Sequence, residues 1–200
     1  MVKDIQQLIT NLLDFYDFKD KTIISVGAGG GQFIEYGRVA KQVIAIDNDE
    51  VALKRLQENL SRTGLTDKFT LIHSDFTDFE AKGDVVLFEF CLHEMEKPQL
   101  ALAHAQAIAL QMVVADHGID SEWAFIADER EKAIKSWSSV DLQPANKSQT
   151  YRAQQYFKDY QELYQKVKVQ GERSIERIEN YKDKRDIIIP MSYKFVLINS

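Results

Sequence analysis

The run Thr22-Ile23-Ile24-Ser25-Val26, then Gly27-Ala28-Gly29-Gly30-Gly31-Gln32, then Val43-Ile44-Ala45-Ile46-Asp47, constrains the fold of this chain more than any other feature. A short apolar run rich in β-branched residues and closed by glycines reads as a buried strand entering a tight turn. The turn is read as opening a helix, and the second apolar run as another strand, this one ending in a carboxylate. Two such strands belong to a parallel sheet, whose ligands bind at the carboxyl ends of the strands. Glycines let the main chain come close to a bound group. A strand-end carboxylate such as Asp47 can accept hydrogen bonds from both hydroxyls of a ribose. The pattern therefore points to an adenosine-containing cofactor.

Glycine spacing decides which cofactor. Dinucleotide sites use G-x-G-x-x-G, where the third glycine lets a helix pack closely behind a pyrophosphate. Here the glycines fall at Gly27, Gly29 and Gly31, with Gly30 as an extra and Gln32 where the third dinucleotide glycine would stand. This G-x-G-x-G run resembles motif I of the class I S-adenosylmethionine-dependent methyltransferases. The resemblance implies S-adenosyl-L-methionine as cofactor, held by Gly27, Ala28, Gly29 and Gly31, with Asp47 and Asn48 at the ribose.

Along the rest of the chain, Asp4 to Phe15 carries Ile5, Leu8, Ile9, Leu12 and Leu13 at helical spacing. Gln32 to Val39 reads as a short helix. Asn48 to Arg62 reads as a longer one, capped by Asn48 or Asp47 and stopped by Gly64. Phe69 to His73 is a third strand and Val85 to Phe90 a fourth, too apolar to face water on either side. Pro98 opens a helix through Ala109, and Met112 to Ala115 is a fifth strand. Beyond Gly118, Ser121 to Trp137 and Tyr151 to Val167 read as helices linked by Leu142 to Ser148. Arg173 to Tyr181 and Ile187 to Ile198 read as strands about a turn at Lys182 to Asp186, short enough to make them antiparallel. Pro190 implies a bulge in the last strand.

A mostly parallel seven-stranded sheet ending in an antiparallel pair, in a Rossmann-like α/β sandwich, matches what the methyltransferase resemblance implies. The resemblance covers residues 20–118 and, more loosely, the last strands. The expected organisation is one domain: a lid helix at 1–20, a cofactor core at 21–118, a helical cap at 119–170 and antiparallel strands at 171–200. In the family, the residue ending the third strand contacts the adenine. That position is Asp75 here, followed by Phe76, against the bland reading of a turn cap and a core ring. The family's acidic residue two places before the first motif glycine is replaced by Ser25, with Glu35 as a candidate substitute. At the fourth strand the chain has Glu89-Phe90-Cys91-Leu92-His93-Glu94-Met95 in place of the Asn/Asp-Pro-Pro-aromatic motif of enzymes that methylate amino groups. That segment resembles the small-molecule methyltransferases and sets Glu89 or Phe90 beside the methionine part of the cofactor.

His93 and Glu94 follow the fourth strand, and Asp116 and His117 follow the fifth. If these strands are neighbours, the two pairs converge on one rim of the pocket. Either histidine could then be a general base, its tautomer fixed by a carboxylate. The same four residues could hold a divalent metal or simply close turns; no metal ligands are assigned. Trp123, Phe125, Trp137, Tyr151, Tyr156, Phe157, Tyr160 and Tyr164, with Arg130 and Arg152, read as a substrate cap. Phe15, Tyr16 and Phe18 would close the other side.

A net charge of −6 without a basic block argues against a nucleic-acid partner. The single cysteine, Cys91, fits a reducing compartment. The opening residues lack an apolar signal core, and no run is long enough to span a bilayer, so the cytoplasm is expected. The reading is an S-adenosylmethionine-dependent enzyme methylating the oxygen, sulfur or carbon of a small molecule, its oligomeric state open with a homodimer among the options. A non-catalytic cofactor-binding protein and an NAD-dependent oxidoreductase are the alternatives.

Overall fold

The computed structural model describes residues 5–199. Residues 1–4, which include the start of the expected lid helix, and Ser200 lie outside the described residues. Seven strands form one sheet: β1 Thr22–Val26, β2 Gln42–Asp47, β3 Phe69–His73, β4 Gly83–Glu89, β5 Ala109–His117, β6 Ala145–Asp159 and β7 Arg185–Asn199. Their order is β3-β2-β1-β4-β5-β7-β6. The first five pair in parallel, and β7 runs antiparallel between β5 and β6. The expected Rossmann-like sandwich with an antiparallel final pair is the observed architecture.

The strands pair this way because both faces of the central ones are apolar. Val85, Val86, Leu87 and Phe88 are all fully buried, alternating between two layers. One layer joins Ile23, Val85 and Leu87 to α1 (Ile5–Phe15) and α4 (Glu122–Ile126); the other joins Ile24, Val86 and Phe88 to α3 (Pro98–Ile108) and α5 (Arg130–Val140). Such two-faced burial is what parallel strands require. A third cluster packs α2 (Glu50–Thr63) onto Ala45 through Leu53, Leu56 and Leu60. No helix among the described residues is long and apolar enough to cross a membrane.

Several local expectations need correction. The segment read as a helix from Gln32 to Val39 is a 3-10 turn at Ile34–Arg38. Phe33, Ile34, Tyr36 and Gly37 are buried while Gln32, Arg38 and Val39 face solvent, and only the five residues Ile34–Arg38 are helical. The cap of α2 is Asp49, whose side chain accepts from the Val51 amide, rather than Asn48 or Asp47.

The cap region is the largest difference. Residues read as the helix Tyr151 to Val167 split into the end of β6 and α6 (Tyr160–Val167). Tyr151, Ala153, Gln155 and Phe157 turn inward at every second position, the period of a strand, and pairing with β7 settles the choice. Leu142 to Ser148, read as a linker, already enters β6. Arg173 to Tyr181, read as a strand, is α7 (Glu172–Arg177) followed by a 3-10 turn at Glu179–Tyr181. Ser174 and Ile178 are its buried residues, one helical turn apart. The antiparallel pair is thus β6 with β7, joined through helices and not by a five-residue turn.

Pro190 makes no bulge. It pairs in register with Gln154, and the only shift between these strands is at Ala145/Lys147. β5 pairs with β7 only from Tyr193 onward, so no strand on that side asks for the amide that Pro190 lacks.

Candidate active site at the carboxyl edge of the sheet

The glycine turn leaves β1 with Gly27, Gly29 and Gly31 at φ of 68°, 51° and 74°. Every second residue is left-handed, which explains the spacing. Two positions also lack room for any side chain: a Cβ on Gly27 would lie 2.3 Å from the Cβ of Cys91, and one on Gly31 would lie 2.6 Å from a methyl of Leu56. The turn is held by Asp47, whose two oxygens accept from the amides of Gly29 and Asp49, each at 2.9 Å. A carboxylate has lone pairs beyond those two bonds for further donors.

Beside this turn lies a cavity of about 660 Å³ lined by Gly27, Gly29, Asp47, Asn48, Asp75 and Phe76. Its apolar wall includes Ala52, Met95, Leu100 and Ala101, which the sequence reading did not single out. Asp75 caps a 3-10 turn, its Oδ1 accepting from the amide and hydroxyl of Thr77, which hold the carboxyl below its usual range. Phe76 is buried edge-on to Phe88 and His104. Both residues therefore fill the bland roles while still bordering the cavity.

The missing carboxylate at Ser25 has a counterpart across the sheet. Glu89, at the end of β4, accepts from the Ser25 hydroxyl at 2.5 Å and from the Tyr36 hydroxyl. Burial pushes its carboxyl up to about 7, against the pull of those two hydroxyls. Glu35, by contrast, is paired with Arg38 at 2.7 Å, on its own helical turn and outside both cavities. It is not the substitute. Phe90 follows at φ 53°, a conformation that costs a non-glycine residue about 1–2 kcal/mol. Its ring stacks on Phe33 and meets His117 edge-on.

That twist carries the chain into the rim at the ends of β4 and β5, where the two expected pairs do converge. Asp116, fully buried, has its Oδ1 2.6 Å from His93 Nδ1 and accepts from the backbone amides of His93 and His117. The two imidazoles are 5.4 Å apart. His93 Nε2 lies 3.6 Å from Glu94, and His117 Nε2 lies 3.2 Å from Glu129. Burial works against a charged His93, but the hydrogen bond to Asp116 and the nearby Glu94 carboxylate outweigh it and hold the imidazole up to about 10. The same contact with His93 lowers Glu94. His117 opens onto a second cavity of about 220 Å³, shared with Ala28, Glu89, Phe90, Gln155 and Met191 and bordered by Ile5 and Leu8 of α1. Gly27, Gly29 and Phe90 line both cavities.

The expected aromatic cap resolves into core and surface. Trp123, Trp137 and Phe157 are buried, with Trp137 donating to the His117 carbonyl, while Phe125 is partly exposed beneath Arg130 and Arg177. Phe15, Tyr16 and Phe18 are core residues, and it is Ile5 and Leu8 that reach the cavity. Sequence reasoning missed Glu129, Tyr36 and Gln155. A glutamate opening a helix reads as an ordinary first-turn charge, and only the fold shows it facing a histidine.

Residues 24–109 match a family model described as a methyltransferase domain. No curated protein matches the sequence. Among solved structures, a protein of Pyrococcus horikoshii provisionally described as an RNA methyltransferase is similar at TM-score 0.60 and 16% identity, over 98% of this chain and 83% of that one. An S-adenosylmethionine-dependent methyltransferase from Aquifex aeolicus is similar at 0.59 and 14%, over 98% and 89%. Magnesium protoporphyrin IX methyltransferase from Synechocystis, solved with bound S-adenosylhomocysteine, is similar at 0.59 and 10%, over 96% and 80%. These likenesses are likenesses of fold. Over residues 24–109 the chain is thus similar to a methyltransferase domain, and its strand order is the fold shared with these S-adenosylmethionine-dependent enzymes.

Proposed function

We propose that this chain methylates an oxygen, sulfur or carbon nucleophile of a small molecule, in the cytoplasm. The observation that carries the reading is the meeting of the two cavities at Gly27 and Phe90, with the Asp47 carboxylate in one and the His117 imidazole at the other. S-adenosylmethionine, when bound, supplies a methyl group on a sulfonium that leaves as a neutral thioether. The residues present fit it: a cradle closed to side chains at Gly27 and Gly31, a ribose-facing carboxylate at Asp47, and Ala28, Asn48, Asp75 and Phe76 around them. Glu89 and Phe90 stand beside the methionine end.

The chain's own work is then positioning and proton removal. His117 borders the smaller cavity, Glu129 fixes its Nε2, and its Nδ1, buried and unpartnered, is the nitrogen left to take the acceptor's proton. His93, Asp116 and Glu94 hold that imidazole's surroundings. Ile5 and Leu8 of α1, with Gln155 and Met191, enclose the acceptor. A small acceptor, rather than a nucleic acid, is supported by the net charge of −6 and by the size of the second cavity.

Calorimetric titration with S-adenosylhomocysteine, with NAD as comparison ligand, tests the cofactor half. Binding of the first alone is expected; binding of NAD alone would replace the reading by an oxidoreductase. Turnover with any small acceptor would separate an enzyme from a cofactor-binding protein, and His117→Ala should lower that turnover while sparing cofactor affinity.

A further inference from the structure

The acceptor-side cluster brings more negative charge into the protein than a histidine base needs. Asp116 and Glu129 are both buried, as are His93 and His117. Asp116 occupies His93 Nδ1, which leaves only Nε2 of that ring to act, and Nε2 is buried with no hydrogen-bond partner among the described residues. His117 Nδ1 is also buried and unpartnered. Donor atoms of His93, His117 and Glu129, one from each, all lie within 4.8 Å of one another.

We propose that His93, His117 and Glu129 bind a divalent transition-metal ion. Two imidazoles and one carboxylate suit zinc, manganese, iron or cobalt, whereas magnesium and calcium prefer sites built from oxygen alone. With metal–ligand bonds of about 2.0–2.2 Å, donors in a formed site stand roughly 3–4 Å apart. Side-chain shifts of about an ångström therefore close it. Asp116 already plays the outer role that such sites need, fixing the ligating histidine's tautomer and orientation through its other nitrogen. The ion's charge offsets the two buried carboxylates.

Three protein ligands leave coordination positions open, and His117 lies at the edge of the smaller cavity. A hydroxyl or thiol bound there ionises near neutral pH, so the ion would do for the acceptor what a free His117 imidazole does. The inference rests on the proposed function for the position of the acceptor, not for the existence of the site.

The test uses the full chain, stripped with a chelator and titrated with cobalt(II) chloride. One equivalent should bind and give visible ligand-field absorption, with zinc(II) displacing it at the same stoichiometry. His93→Ala and Glu129→Gln should each weaken cobalt binding by at least about tenfold, the low end of what even outer-shell changes cost. His104→Ala, a histidine bonded to the Phe79 carbonyl outside the cluster, should leave it unchanged. Circular dichroism confirms folding of each variant, and Glu129→Gln keeps the shape if His93→Ala does not fold. Absence of a stoichiometric cobalt signal, or a signal that survives Glu129→Gln, overturns the site. S-adenosylhomocysteine titration of the same stripped sample separates the two readings. If the nucleoside binds and cobalt does not, only the metal falls; if cobalt binds and the nucleoside does not, only the methyl-transfer reading falls.

Discussion

The two rims of the site hold their groups in different ways. On the cofactor side, main-chain amides and near neighbours do the work: Asp47 bonds to Gly29 and Asp49, Asp75 to Thr77, and Asp49 to Val51. At the ends of β4 and β5, buried side chains bond to other side chains. Glu89 reaches Ser25 and Tyr36, Asp116 reaches His93, and Glu129 reaches His117. The first rim is a shaped backbone that exposes few charges to desolvation. The second concentrates ionisable groups where water is scarce, and there the Glu89 carboxyl and the His93 imidazole are both pushed up. Mutation should therefore split the rims: affinity on one, stability and ionisation on the other.

The largest expected effect is at Asp116. Asp116→Ala removes the partner of one imidazole and two amides in a buried place, and should cost about 4 kcal/mol of stability, as the loss of one member of a buried ion pair does. Denaturant unfolding measures it. If nucleoside affinity fell instead and stability did not, the contrast between the rims would be mistaken. Next comes Gly27→Ala, at a residue that lines both cavities. The clash with Cys91 and the left-handed backbone together should cost about 3 kcal/mol and abolish S-adenosylhomocysteine binding. Adding Cys91→Gly should restore part of the loss in a double-mutant cycle.

Glu89 gives a pH signature. Its carboxyl stands at about 7 in the folded protein, against 4.5 ordinarily. Between these values the folded state keeps a proton that the unfolded state has released, so stability declines as pH rises from about 4.5 to 7, by up to about 3 kcal/mol. Glu89→Gln should flatten that slope in melts across the range. The smallest effect sharpens the other rim: Asp47→Ala should weaken S-adenosylhomocysteine binding about thirtyfold, roughly 2 kcal/mol, with stability nearly unchanged. A loss of stability as large as that at Asp116 would make Asp47 a structural residue.

Legibility in the sequence follows the same division. The parallel strands were readable because each is a short apolar run with local punctuation, and the positive φ of Gly27, Gly29 and Gly31 is written in the residues themselves. The antiparallel pair was expected, but β6 was placed in the wrong segment. Tyr151 to Phe157 alternates with polar residues and carries weak helix and strand signals alike, so its partner β7 decides. The convergence of His93 with His117 was expected from strand adjacency alone. Glu129 and the Ser25–Glu89–Tyr36 group are not, because no periodicity links them to partners on other elements.

One consequence of the fold lies in the segment after the glycine turn. A full α-helix there would aim a positive dipole end at the ligand, the device that holds the pyrophosphate of a dinucleotide. The turn at Ile34–Arg38 is five residues of 3-10 geometry and supplies almost none of that field. A phosphorylated nucleotide would find little to balance its charge here, whereas a sulfonium, itself positive, is spared the repulsion. In this turn the choice between the two ligands would fall to charge as well as to shape.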